Sequence, residues 1–229
     1  MYQYSIGLAV FDFVPIVLSG IGLYFVSATA TLWGARWQQL ARLGALLILC
    51  GGISKASWKL IVATFQTDIS WMNSALFFCL APGMLILAAT VWGASNNKGQ
   101  TARHITLIVP GLLVIAALAI TASWPEKRYG TFYLLALTTL GNVALALQLI
   151  IKSWNAKRLS ASVMFFCNIL AVFTMAGLAR LPDQSEALQW IEELINTASQ
   201  GAFAYAAYTL YSAIKVSSPE TVDNDIATK

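Results

Sequence analysis

The chain has 229 residues, of which 58% are hydrophobic and only 10% charged, and its mean hydropathy is +0.68. An ordinary soluble domain is about 45–50% apolar and about 25% charged, so this chain holds too few charges to clothe a water-soluble globule. That excludes a soluble enzyme, a disordered regulator and a nucleic-acid binder, and it turns the net charge of +4 into a matter of membrane topology rather than of anionic partners.

A bilayer core about 30 Å thick calls for about 20 apolar residues per helix. Seven stretches meet that length: residues 5–27, 40–64, 69–93, 104–123, 131–152, 160–181 and 187–214. They consume most of the chain, so residues 1–215 read as one all-α integral membrane domain, a seven-transmembrane-helix bundle with short connections. No segment alternates with period two over about ten residues, which argues against an outer-membrane barrel. The opening Met-Tyr-Gln-Tyr-Ser has no basic region and no small-residue cleavage pattern follows it, so no cleaved signal peptide is expected.

In the first span Asp12 stands three residues before Pro15, which predicts a distorted helix with freed carbonyls near the acid. The second span opens on Arg42-Leu43-Gly44-Ala45 and later carries Lys55 and Lys59 at i, i+4, with Gly51 on the same face. Asn73 begins the third span, His104 lies at the start of the fourth, and Asn142 and Asn168 fall in the fifth and sixth. The start of the seventh span is marked by Pro182, which blocks the preceding helix, and by Asp183 with Glu186, the spacing of a capping box. Along the seventh span Gln189, Glu192, Glu193, Asn196, Ser199 and Gln200 fall within an arc of about 120°, opposite Ala187, Leu194, Ile195, Ala198 and Ala202. A polar stripe on a membrane helix must face protein or water. Residues 216–229 read as a disordered polar cytoplasmic tail.

Orientation follows from Lys and Arg. With the N-terminus outside and the C-terminus inside, the inner segments hold Arg36, Arg42, Lys98, Arg103, Lys152, Lys157, Arg158, Lys215 and Lys229, and the outer ones only Lys127, Arg128 and Arg180. The positive-inside rule selects that arrangement. Trp33, Trp37, Trp71, Trp92, Trp124, Trp154 and Trp190 fall near span ends, where interfacial aromatics belong, and only Trp58 sits deeper. The expected location is the bacterial cytoplasmic membrane. A weak repeat pairs Arg42-Leu43-Gly44-Ala45 with Arg158-Leu159-Ser160-Ala161 and Asn73-Ser74-Ala75 with Asn196-Thr197-Ala198. It maps the first three spans onto the last three with the fourth as a linker, a 3+1+3 parallel repeat of the kind some transporters use.

Each ionised group at mid-membrane costs at least about 2.5–3.5 kcal/mol, so the informative residues are Asp12, Lys55, Lys59, Glu192 and Glu193. At about 1.5 Å per residue, Asp12 lies about 10 Å, Lys55 about 12–14 Å and the two glutamates about 8–9 Å from the outer ends of their spans. Lys59 is shallower, with a stem long enough to snorkel outward. Three expectations compete. In one, the five charges with Asn73, Asn196 and Gln200 line a hydrated outer cavity between the first, second, third and seventh spans. There the acids bind a cationic group or protons and the lysines an anionic group. In the second they are structural ion pairs, such as Lys55 with Glu192 or Asp12; in the third Glu192, Glu193 and Lys59 sit at the headgroup level, because the seventh helix is long enough to slide outward by a turn.

The chemistry motifs exclude more than they select. The single histidine argues against bis-histidine haem and against a metal-hydrolase centre. Cys50, Cys79 and Cys167 lack CxxC spacing and read as core residues. No nucleophile–base motif, Walker loop or prenyl-diphosphate motif is present, and no lysine lies in 187–214 to form a retinal Schiff base. An enzyme is therefore disfavoured, and neither cofactor nor metal is expected. The sequence points to a small transporter of a polar or zwitterionic solute, or of protons. The alternative is a membrane sensor, receptor or accessory subunit with the same outer pocket. Expected partners are the lipid bilayer, the small solute, and a second copy or another membrane protein.

Overall fold

The computed structural model describes residues 5–124, 127–178 and 185–217, and the regular structure among them is entirely helical. A short α1 (Ile6–Phe11) and α2 (Phe13–Trp33) together form the first long helix, interrupted at Asp12. A 3-10 turn at Ala35–Trp37 leads into α3 (Gln38–Phe65). There follow α4 (Ser70–Ser95), α5 (Gln100–Ser123), α6 (Tyr129–Asn155), α7 (Leu159–Leu178) and α8 (Glu186–Ser217). The first six long helices are long and apolar enough to cross a membrane. The seventh, α8, is the longest at 32 residues but is diluted by its polar stripe.

The long helices close a ring: α2 packs on α3, α3 on α4, α4 on α6, α6 on α7, α7 on α8, and α8 returns to α2. The remaining helix, α5, lies outside the ring against α4 and α6. Its outward face, with Ile105, Ile108, Leu112, Ile115 and Leu118, is exposed, as are Val17, Leu46, Phe132, Leu140, Phe166 and Leu194 on other helices. A soluble monomer does not tolerate so much contiguous apolar surface, and lipid is the solvent that covers it.

The main core sits at one end of the bundle. Leu23, Val26, Ala30, Leu40, Ile48, Leu87, Val91, Leu149, Phe165, Phe203 and Leu210 form one buried cluster, next to the connections at residues 34–37, 96–99 and 156–158. Small residues make it tight. A Cβ on Gly44 would lie 3.0 Å from the Gly83 carbonyl oxygen, and one on Gly83 2.9 Å from that of Gly44, so α3 and α4 meet backbone to backbone, as lipid-embedded helices do at small residues. Gly141 admits Met84 and Leu85 of α4 equally closely.

The same end carries the basic side chains. Arg36 donates from Nη2 to Asn97 Oδ1 at 2.7 Å, Lys98 lies over the Trp92 ring at 4.9 Å and Lys152 over Trp33 at 5.8 Å. Two helices stop there in the same way. Lys98 N–H bonds Gly93 O at 2.9 Å and Asn97 N–H bonds Ala94 O at 3.2 Å, while Arg158 N–H bonds Ser153 O and Lys157 N–H bonds Trp154 O, both at 2.9 Å. These are Schellman closures, with Asn97 at φ 50° and Lys157 at φ 58°. Asparagine tolerates the left-handed region and lysine does so only under strain. Lys157→Gly is therefore expected to stabilise the fold by about 0.5–1 kcal/mol, seen as a higher unfolding midpoint in detergent; an unchanged or lower midpoint would contradict this.

Several sequence expectations are corrected. Trp37 is not an interfacial aromatic but is fully buried, because Gly93 opens a slot for its ring. Cys50 and Cys167 are exposed rather than core residues, and Cys79 is half-buried. The side chain that caps α8 among the described residues is Ser185, whose Oγ accepts from Leu188 N–H at 3.4 Å. Pro182 and Asp183 lie outside the described residues, as do Arg180 and most of the expected tail, residues 218–229.

Candidate functional site

At the end of the bundle opposite the basic one, three charged side chains meet. The first is placed by the break in the first long helix. Ser5 starts α1 by accepting from Leu8 N–H at 3.4 Å. Pro15 has no N–H, so the Phe11 carbonyl loses its i+4 donor, and the helix interrupts at Asp12 with φ −53° and ψ −22°. Its own N–H still reaches Leu8 O at 3.0 Å. At this break the Asp12 side chain is buried, at 6% exposure, while Phe11 packs on Trp190 with ring centroids 5.5 Å apart.

Lys59 on α3 supplies the cation. Its Nζ lies 2.7 Å from Asp12 Oδ2 and 3.1 Å from Glu193 Oε1 on α8. The ion-pair expectation pairs Lys55 with Glu192 or Asp12; the structure instead gives Asp12 and Glu193 to Lys59. Helix arithmetic explains the correction. Counted from the near ends of their helices, Asp12, Lys59 and Glu193 are each about 9–11 Å along, whereas Lys55 is about 15 Å along. The lysine level with the two buried carboxylates pairs with them, and its side chain is only 14% exposed.

The triad ties α1, α3 and α8 together, and the residues around it are less completely paired. Lys55 makes no ion pair or hydrogen bond among the described residues. Glu192 Oε1 is buried without a hydrogen-bond partner among them. Asn196 adjoins the Glu193 carboxyl, and Gln200 is about 10 Å further along α8 from Glu193. Asn73 is half-buried in the first turn of α4, beside Met72, whose carbonyl accepts from Ser54 Oγ at 2.9 Å. Asn168 is engaged elsewhere: its Nδ2 donates to Ser199 O at 3.2 Å and to Ser199 Oγ at 2.8 Å, joining α7 to α8. Asn142 is half-buried on α6.

One anchoring contact escaped the sequence reading. Trp58, next to Lys59, is 3% exposed and donates from Nε1 to Asp68 Oδ1 at 2.8 Å, while Ser70 Oγ donates to Asp68 Oδ2 at 3.2 Å. This fixes the turn from α3 to α4 over the lysine's neighbour. The depth of Trp58 was the available signal, since a buried indole N–H requires an acceptor.

An open groove of about 250 Å³ runs between α7 and α8, lined by Cys167, Ala171, Ile195, Ala198, Ser199 and Ala202. It is apolar and includes none of the charged residues. Among the described residues no three His, Cys, Asp or Glu side chains gather as a metal centre would require. Comparison with protein-family models, curated proteins and solved structures gives no significant match.

Proposed function

We propose that the chain is a seven-span membrane transporter for a small zwitterionic solute, with its N-terminus outside and the charged cluster as an outward-facing binding site. The observation that carries this reading is the unequal pairing of the cluster. Asp12 and Glu193 already hold a primary ammonium group, which is the chemistry that recognises the amino end of such a solute. One turn from Lys59, Lys55 makes no direct ion pair among the described residues, and Glu192, level with the triad, keeps a buried oxygen unbonded. A cluster serving only to fix helix register would pair these two charges with each other. Intramembrane charges held outside a direct ion pair are costly, and such residues are by default binding or relay groups.

Two further features support the reading. Arg36, Arg42, Lys98, Arg103, Lys152, Lys157, Arg158 and Lys215 share the end that would face the cytoplasm, against Lys127 and Arg128 at the other among the described residues, in keeping with the positive-inside rule. The ring order also places α2–α4 and α6–α8 in equivalent positions with α5 outside as the link, the arrangement a 3+1+3 parallel repeat requires. The packed apolar end forms the closed gate, and the charged end faces the medium.

The test is uptake of radiolabelled methylammonium, glycine and γ-aminobutyrate into lipid vesicles carrying the full chain. At least one of the two zwitterions should enter, and Lys55→Ala and Glu192→Gln should each reduce that uptake to background while melting like the parent. Wild-type uptake in both variants would overturn the assignment.

A further inference from the structure

We infer that Asp12 and Glu193 share one exchangeable proton, held between Asp12 Oδ1 and Glu193 Oε2, and that an incoming ammonium group displaces it, so that solute and proton exchange at the same two carboxyls. The exchange half of this inference rests on the transport reading above; the shared proton does not.

The geometry leaves two oxygens to account for. Each acid gives one oxygen to Lys59, Asp12 Oδ2 at 2.7 Å and Glu193 Oε1 at 3.1 Å. The remaining pair, Asp12 Oδ1 and Glu193 Oε2, is buried and receives no hydrogen bond among the described residues. Because the other two oxygens close on the one Lys59 Nζ, the two carboxyls are neighbours across that ammonium. Ionised carboxylates have only lone pairs to present, and two of them side by side in a low dielectric repel. A proton between them turns the contact into a short charge-assisted hydrogen bond.

Charge counting agrees. Lys59 contributes one positive charge and the two ionised acids two negative charges, so one proton brings the triad to neutrality. The other charged groups facing the pair are Lys55 on α3 and Glu192 on α8, of opposite sign. Asp12 is the only charged side chain from Ile6 to Trp33, and α4 carries none. The proton is the one positive charge that can leave without moving a helix. When a solute ammonium enters beside Lys59, its N–H groups take over the two orphaned oxygens and the proton departs to the outer water, one positive charge in for one out.

Infrared spectroscopy tests the shared proton without any ligand. In lipid vesicles at neutral pH the full chain should show the carbonyl stretch of an un-ionised carboxyl, shifted by exchange into D2O. Asp12→Asn and Glu193→Gln should each remove it, because the acid that remains ionises against Lys59, while Asp68→Asn should keep it. Absence of the band in the wild type, or its survival in both acid variants, would overturn the shared proton. In weakly buffered solution, methylammonium binding should release a single proton per molecule bound, read by a pH dye. Binding with no release would overturn the exchange and leave the transporter standing. Failure of methylammonium, glycine and γ-aminobutyrate alike to bind would overturn the transport reading and the exchange with it, and the infrared result would still decide the proton.

Discussion

Lys59→Ala should cost about 3–5 kcal/mol of stability, because it strips the cation from the two buried carboxyls that share it. Asp12 and Glu193 are 6% and 9% exposed, so water cannot replace what Lys59 supplies, and the helices they join are far apart in the chain. Replacing all three residues together, as Asp12→Leu, Lys59→Met and Glu193→Leu, should behave very differently. A buried ion cluster exchanged for apolar side chains of similar volume is often neutral or stabilising, and here the surroundings are already apolar. Thermal unfolding of both variants in the same detergent is the check. Equal melting of Lys59→Ala and the parent would mean that the ammonium is not holding the carboxyls in a dry site.

Gly93→Ala should destabilise the opposite end of the bundle by about 1–3 kcal/mol, the usual cost of overpacking. The new Cβ would stand 2.3, 2.5 and 2.9 Å from Cη2, Cζ2 and Cζ3 of Trp37. The ring has nowhere to go: it is fully buried, and its other edge lies close to Gly34, where a Cβ would be 3.1 Å from Cδ1. Trp37→Phe removes the clashing atoms, so the double variant Gly93→Ala with Trp37→Phe should lose less than the two single losses combined. Strict additivity would contradict the contact. In the transport reading this joint belongs to the closed cytoplasmic gate, so its loosening should also raise leakage through the resting protein.

The helices were legible in the sequence because lipid imposes a simple length and polarity rule on each of them. The inward face of α8 was legible for the same reason, since Glu193 and Ser199 could not face hydrocarbon and are buried while Leu194 is exposed. The break at Asp12 followed from Pro15 alone. What escaped was anything set by level and by neighbours. Lys59 rather than Lys55 meets the acids, a difference of one helical turn that depends on where α3 ends at Phe65. Trp37 is drawn inward by a glycine on α4. Cys50 and Cys167 are exposed, a placement set by how α3 and α7 pack on their neighbours rather than by residue type. The ring order, with α5 excluded, is a property of packing that hydropathy does not carry.

The most direct measurement is uptake by the triple apolar variant, Asp12→Leu with Lys59→Met and Glu193→Leu, assayed beside the parent in vesicles with glycine and γ-aminobutyrate as solutes. The account predicts a protein that melts at or above the parent temperature and transports neither solute, while the parent transports at least one. A well-folded triple variant that takes up solute at the parent rate would show that the triad only fixes the helices in place, and the site would have to be sought elsewhere.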